Sequence, residues 1–294
     1  MKRLNASKPF YAFSSELAPA LTVAAGESFV LETMDCYSGQ LRSPEDTLDW
    51  MNWATTNPAT GPVYVEGIKA GDVIRVQIED LKLTGNSVMF TRPGSGKVKG
   101  IVAPETSILE VVDDRLRVPT ACGELSLPVK PMIGVIGVAP VEGACSNAVP
   151  DAHGGNMDCK LIGAGTTIYL TANHDGALFG CGDVHARMGD GEVVICGAET
   201  PAEVQFSIER EENLKLKTPF LVTDDLYVAI ASSKDLEEAY QMAIDHMFYF
   251  LKENTALSDG DIGRLMSLVG DLKFCQVVDP QYSVRFEFPR HLLD

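Results

Sequence analysis

Glycine-bearing turns govern how this chain can fold. From residue 10 onward short apolar runs alternate with turn pairs such as Gly26-Glu27, Gly71-Asp72 and Gly189-Asp190, which favour chain reversal over continued helix. The runs LTVA, SFVLETMD, VIRVQIEDLKL, ILEVVDD, RLRV, ELSLPV and PMIGVIGVAP read as strands, followed after residue 200 by VQFSIERE, KLKTPFLVT and LYVAIAS. In one of them Phe29, Leu31 and Thr33 alternate with Val30, Glu32 and Met34, a pattern buried on both faces for part of its length. Helical spacing arrives only at 234–254, where Leu236, Ala239, Tyr240, Ala243, Met247, Phe250 and Leu251 share one face and Ser232 or Ser233 is the expected N-cap. A shorter helix is expected over 259–269, capped by Ser258 and ended by Gly270, before the closing strands KFCQVVD and SVRFEFP. The pattern predicts a mainly β fold: a β-sandwich or jelly-roll-like architecture with a small C-terminal helical (α+β) part. It divides into a β-rich half, 1–145, and a half carrying the turn-rich stretch and helices, 146–294, the two packing as one compact unit.

Composition excludes several partners. The 294 residues carry a net charge of -17, the wrong sign for nucleic acid or an anionic membrane surface. No apolar run approaches the ~20 residues of a membrane span, and NASKPFYAFSSELAP after Met1-Lys2-Arg3 has no apolar core for a secretion signal. Seven cysteines at irregular spacing, none in a Cys-x-x-Cys, suit reduced thiols in the cytoplasm better than a disulfide scaffold. Trp50 and Trp53 fall in a Pro-punctuated loop, 43–60, where they are expected to anchor the loop to the core rather than to wall a pocket. TRPGSGKVKG lacks the Gly-Lys-Ser/Thr ending of a phosphate loop and reads as a flexible surface loop.

The stretch 147–199 gathers polar residues on such turns and holds three of the five histidines. His153 is followed by Gly154-Gly155-Asn156 and then Asp158. Asp183 and His185 stand two apart, so in an extended chain they share a face. Gly189-Asp190-Gly191-Glu192 adds two more acids. Nitrogen and oxygen donors on glycine turns suit a hard or borderline metal ion, although each residue alone is also ordinary hairpin chemistry. Asp35, at a strand end before Cys36-Tyr37-Ser38-Gly39-Gln40, is a further candidate ligand, and equally a routine turn-starter.

GACSNAVPDAHGGNMD, GALFGCGDVHARMGDGEV, NPATGPVYVEGIKAGDVI and LMSLVGDLKFCQVVD, in this order but for the third, which precedes the others, closely resemble the acetamidase/formamidase family of small-amide hydrolases. ETMDCYSGQ fits the same family's strand-end Asp followed by a Gly-Gln turn. The resemblance covers nearly the whole chain. It implies a β-rich fold with jelly-roll character, a homodimer, and hydrolysis of short aliphatic amides to carboxylate and ammonia. Two segments depart from the family pattern. TANHD replaces an apolar run before GALF, and Arg187-Met188 stands where a Gln precedes Gly-Asp-Gly-Glu, a loss of one amide side chain that bears on the substrate more than on the reaction.

Amide hydrolysis requires an activated water, a stabilised oxyanion and a protonated leaving nitrogen. On the family reading a divalent ion, zinc first, with calcium or another divalent ion also admissible, activates the water. Its candidate ligands are Asp35, His153, Asp158, Asp183 and His185, some of which would instead orient the imidazoles. Glu192 is the expected general base, with Asp183 beside it as a second catalytic candidate, and Asn156 and Gln40 are candidates to hold the amide. Two other readings stay open: a cysteine-dependent amidase using Cys145 or Cys181, and a non-catalytic jelly-roll protein that binds a metal or a carbohydrate.

Overall fold

Two sheets carry most of the chain. The computed structural model describes residues 1–98, 100–212 and 214–293. Its larger sheet has nine strands in the spatial order Lys2–Leu4, Phe29–Thr33, Ala202–Glu211, Val73–Leu83, Thr167–Thr171, Phe220–Val222, Leu226–Ser233, Tyr282–Pro289 and Asp271–Gln276. A five-stranded sheet runs Gly154–Asn156, Met132–Gly137, Phe179–His185, Ala59–Glu66 and Leu21–Ala24. A smaller sheet of four strands spans 87–128, and Ala144–Ser146 pairs with Ala12–Ser14. Both large sheets draw strands from residues 1–145 and from 146–294.

Alternation explains the packing. Along Ala202–Glu211, Ala202, Val204, Phe206 and Ile208 are buried while Glu203, Gln205 and Ser207 stay partly exposed. Phe206 meets Phe29 of its own sheet at 5.8 Å and Phe179 of the five-stranded sheet at 5.2 Å between ring centroids. The two sheets therefore face each other across one core, which also takes in Ile74, Val76, Ile133, Ile136 and Val184. Each such side chain contributes about 1.5–3 kcal/mol by leaving water. The mainly β sandwich with a C-terminal helical part follows from this pattern.

Helix α1 (Leu236–Asn254) lays Ala239, Ala243, Met247 and Leu251 on the outer face of the larger sheet, against Phe286 and Phe288. Its N-cap is Asp235, whose carboxylate accepts from Glu238 N at 3.0 Å. The expected caps do other work: Ser233 accepts from Asp235 N and donates to Glu238, and Ser232 bonds Ser283 at 2.8 Å. All three residues are good cap formers, so the sequence alone did not separate them. Helix α2 (Asp259–Val269) has the expected Ser258 cap, closed as a capping box by Asp261, and ends at Gly270. Among the described residues no helix is long and apolar enough to cross a membrane.

Two loop expectations need correction. Trp50 and Trp53 are 66% and 47% exposed and anchor no core. Trp50 bonds Thr47, and Trp53 stands edge-on to Phe90 with the Arg92 guanidinium over its ring. TRPGSGKVKG begins as the end of a strand, Ser87–Thr91, and then docks: Lys97 N donates to Val193 O at 2.7 Å, and a Cβ on Gly96 would fall 2.4 Å from that same oxygen. Lys99 lies outside the described residues.

His246 on α1 is buried, its Nε2 accepting from Lys217 N at 2.9 Å and its Nδ1 bonded to Thr218. Burial, reinforced by the Lys217 charge, lowers its pKa to about 4. In the unfolded chain it titrates near 6.5, so between about pH 6.5 and 4 the unfolded state binds more protons and stability falls as pH falls. Thermal melts of His246→Gln should show a flatter loss of Tm over that range, by at least about 1 kcal/mol. Asp235→Ala should cost about 1 kcal/mol, read as a lower Tm at all pH values above the carboxylate range.

Candidate functional site

The strand Phe179–His185 lies at the centre of the five-stranded sheet, and its last residues build the site. Asp183 sits opposite Gly134 in the register set by Ile133↔Val184 and Val135↔Gly182. A Cβ on Gly134 would fall 2.4 Å from Asp158 Oδ1 and 2.6 Å from Asp183 Oδ2, so only glycine lets both carboxylates converge there. Asp158, Asp183 and Glu192 all hold positive φ, at 45°, 53° and 49°, and Ile195 reaches 85°. Left-handed backbone at a β-branched residue costs about 1–3 kcal/mol and gathers at functional sites.

These side chains converge on His185, which is fully buried. Its Nε2 lies 3.1 Å from Glu199 Oε2, 3.5 Å from Asp183 Oδ1 and 3.9 Å from Asp158 Oδ1. None of these approaches has hydrogen-bond geometry, and both ring nitrogens, both Asp158 oxygens, Asp183 Oδ1 and Glu199 Oε2 are buried without a hydrogen-bond partner. Buried polar atoms are rarely left so. Asp158, His185 and Glu192 bring one donor atom each within 4.8 Å of one another, and Cys36, Asp183 and Glu199 form a second such set. Unpartnered, mixed nitrogen and oxygen donors of this kind fit a divalent cation.

Electrostatics tell the same story. Burial, then the charges of Asp183 and Asp279, pushes the Asp158 carboxyl well above its usual range. Burial, then Asp158, does the same to Glu192, and burial with Asp183 takes Glu199 to about 8 despite the nearby imidazole. At Asp183 burial also works upward, but the charge of His185 beside it outweighs it and the pKa falls. Burial opposes charge on His185 as well, yet Glu199 and Asp183 raise its pKa well above the ordinary value. The cluster is short of positive charge.

A cavity of about 140 Å³ opens against it, walled by Cys36, Tyr37, Trp53, Phe90, Asn156, Asp183, Glu192, Ile195, Glu199 and Asp279 among others. A cavity near 150 Å³ takes up a molecule of benzene size, so this one suits ligands of a few heavy atoms. Larger hollows exist elsewhere, two of them beside His246, whose ring nitrogens are already paired with Lys217 N and Thr218.

Of the residues singled out in the sequence, Asp158, Asp183, His185, Glu192 and Asn156 are brought together. Three are not. Asp35 Oδ1 accepts from Tyr37 N and Gly39 N, which closes the turn it starts. Gln40 spends its amide on the 52–55 loop, accepting from Asn52 N at 2.8 Å. The ring of His153 packs edge-on against Phe13 at 5.4 Å, its Nε2 unpartnered and its pKa lowered to about 4 by burial. Cys145 and Cys181 do not line the cavity, and burial raises both thiols. The thiol at the site is Cys36, raised by burial and by Glu199. Two acidic cavity residues went unweighed in the sequence: Glu199, fixed through Oε1 by Gly197 N at 2.9 Å, and Asp279, which accepts from Asn156 Nδ2 at 2.8 Å. Asp279 closes the segment LMSLVGDLKFCQVVD, the one signal that pointed to it.

Gly134→Ala tests the convergence. Its methyl group should cost about 1–3 kcal/mol of stability and, if the cluster takes up a divalent cation such as zinc, weaken that binding in calorimetry, because it occupies the point where the Asp158 and Asp183 oxygens meet. A variant that bound zinc with unchanged affinity would show that these carboxylates do not act together.

The fold has counterparts among known proteins. The crystal structure of an acetamidase from Bacillus halodurans superposes with a TM-score of 0.94 at 38% identity, covering 99% of this chain and 98% of that one. A Thermoanaerobacter tengcongensis protein described as a predicted acetamidase/formamidase gives 0.94 at 40% identity, covering 99% and 96%. The acetamidase of Mycolicibacterium smegmatis is 24% identical over 248 residues, a match that covers 62% of this chain and spans 61% of that enzyme's length. The model of the Acetamidase/Formamidase family matches residues 5–148 and 141–280. On the strength of that match, the chain belongs to the acetamidase/formamidase family.

Proposed function

We propose that the protein hydrolyses a small aliphatic amide, of formamide or acetamide size, to the carboxylate and ammonia. The observation that carries this reading is the set of unpartnered buried donors around His185 facing a cavity of about 140 Å³. Family membership supports the reaction class, and the cavity size supports the small substrate.

In this reading Asp158, His185 and Asp183 would hold a divalent ion, zinc by our choice, since one imidazole among carboxylates suits it. Such an ion, when bound, supplies a Lewis acid and a water of lowered pKa. Glu192 reaches the same point from its own turn. We assign it the proton: it accepts one from the attacking water and returns it to the nitrogen, so that ammonia rather than an amide anion departs. Glu199, fixed by Gly197, keeps His185 oriented, and Asn156 holds the amide. The walls of Tyr37, Trp53 and Phe90 narrow the cavity of about 140 Å³ to ligands of about six heavy atoms or fewer, which favours short acyl chains. The cysteines carry free thiols, which favours a reducing compartment such as the cytoplasm, and the homodimer implied by the resemblance belongs to the same reading.

Ammonia release from formamide and acetamide, measured with metal content on the same samples, tests it. Wild-type protein should release ammonia, and Glu192→Gln should keep its metal while losing at least about a hundredfold in rate. A variant that lost the ion with the activity would make Glu192 a ligand instead of the base. Metal-replete wild-type protein inert toward both amides would overturn the reading.

A further inference from the structure

The cavity wall carries three buried, unpartnered acceptors: Asn156 Oδ1, Asp183 Oδ1 and Glu199 Oε2. In the reading above the ion takes Asp183 and His185 takes Glu199, which leaves Asn156 Oδ1 for the substrate. A ligand that satisfies it must bring an N–H or O–H donor, because a buried acceptor left unpaired costs the full desolvation of that group.

Asn156 is the one whose direction depends on a neighbour. A side-chain amide presents an acceptor on one edge and a donor on the other, and only its partners decide which edge faces where. Here Asp279 Oδ2 accepts from Asn156 Nδ2 at 2.8 Å, which leaves Oδ1 for the cavity. Asp279 is itself held in place. Gln276, fully buried at the end of the edge strand Asp271–Gln276, accepts from Val278 N at 2.8 Å and from Asp279 N at 2.9 Å. Its own amide nitrogen donates to Gln281 O and Ser283 Oγ, so its orientation is also fixed. The chain Gln276, Asp279, Asn156 therefore carries a single hydrogen-bond polarity from the sheet edge to the cavity.

We infer that Asp279 is a positioning residue that turns the Asn156 carbonyl into the cavity, so that the site selects amides by their N–H groups and takes primary amides in preference to N,N-disubstituted ones. This deepens the amide-hydrolase reading and rests on it for the identity of the substrate. A pocket built to accept hydrogen bonds rejects an analogue that lacks the donors far more strongly than an apolar pocket rejects a change of size.

Propionamide and N,N-dimethylformamide are isomers with the same heavy atoms, the first with two N–H bonds and the second with none. Their binding to the metal-replete protein, followed by ligand-observed NMR, separates hydrogen-bond selection from size. Wild-type protein should bind propionamide at least about tenfold more tightly, the value of one net hydrogen bond. Asp279→Ala should lose that difference, as should Asn156→Ala, which removes the acceptor itself and serves if the first variant does not fold. Asp279→Asn should keep it, since the new amide oxygen can still accept from Asn156, whereas a role through the charge of Asp279 would not be rescued. Equal binding of the two isomers to wild-type protein, or a preference that survives in Asp279→Ala, would overturn the inference. A preference that follows this pattern in a metal-replete protein releasing no ammonia from formamide, acetamide or propionamide would retire the hydrolase reading and leave the selection standing.

Discussion

Burying several carboxyl groups around one imidazole is the constraint on which the rest of this molecule depends. Asp183, Glu192, Glu199 and Asp279 wall the cavity, and Asp158 stands with them beside the buried imidazole of His185. Taking a carboxylate out of water costs several kcal/mol unless a partner offsets it. Protons can do so, which is why burial drives most of these groups upward in pKa. A divalent ion does so better, and the unpartnered oxygens and ring nitrogens are the atoms it would use. A cluster of this kind is expensive as architecture alone, and its cost makes sense as function.

The scaffold is arranged to meet that cost. The strand carrying Asp183 and His185 is central in its sheet, and the neighbouring strand offers Gly134 where any side chain would collide with two carboxylates. Glu192 arrives on a turn pinned from outside the site: Arg285, buried on the strand Tyr282–Pro289, grips Asp190 with both guanidinium nitrogens at 2.8 and 2.9 Å, and Lys160 holds the same carboxylate. Such forked pairs fix geometry as well as charge. Backbone strain at Asp158, Asp183 and Glu192 persists because packing of this kind over-determines it. The cavity therefore has rigid walls before any ligand enters.

Much of this was legible in the sequence, for reasons that differ by element. Alternation along Phe29–Thr33 and helical spacing in α1 are local, and burial enforces them directly. The convergence of Asp158, Asp183, His185 and Glu192 into one candidate site was legible because polar side chains on glycine turns have few structural excuses. Asp35 and Gln40 carried the same signature for an ordinary reason: their side chains close the turns on which they sit. His153 occupies an apolar corner beside Phe13 that no spacing rule distinguishes from a site. Glu199, in Cys196-Gly197-Ala198-Glu199, has no turn motif of its own. Asp279 reaches the cavity only because the edge strand Asp271–Gln276 is added to the sheet from the far end of the chain, a long-range pairing that local pattern does not encode. The tryptophans misled because large aromatic residues are usually buried, whereas Trp53 forms a half-exposed rim.

The most direct test of this account is the thermal stability of the protein stripped of metal and then titrated with zinc. An ion that relieves the buried charge binds the folded state alone. At a hundredfold excess over its dissociation constant it should therefore add about 2.7 kcal/mol, a rise in Tm of roughly 4 °C for a chain of this size. A Tm indifferent to both chelator and zinc would contradict the account, because the carboxyl cluster would then be neutralised by protons alone.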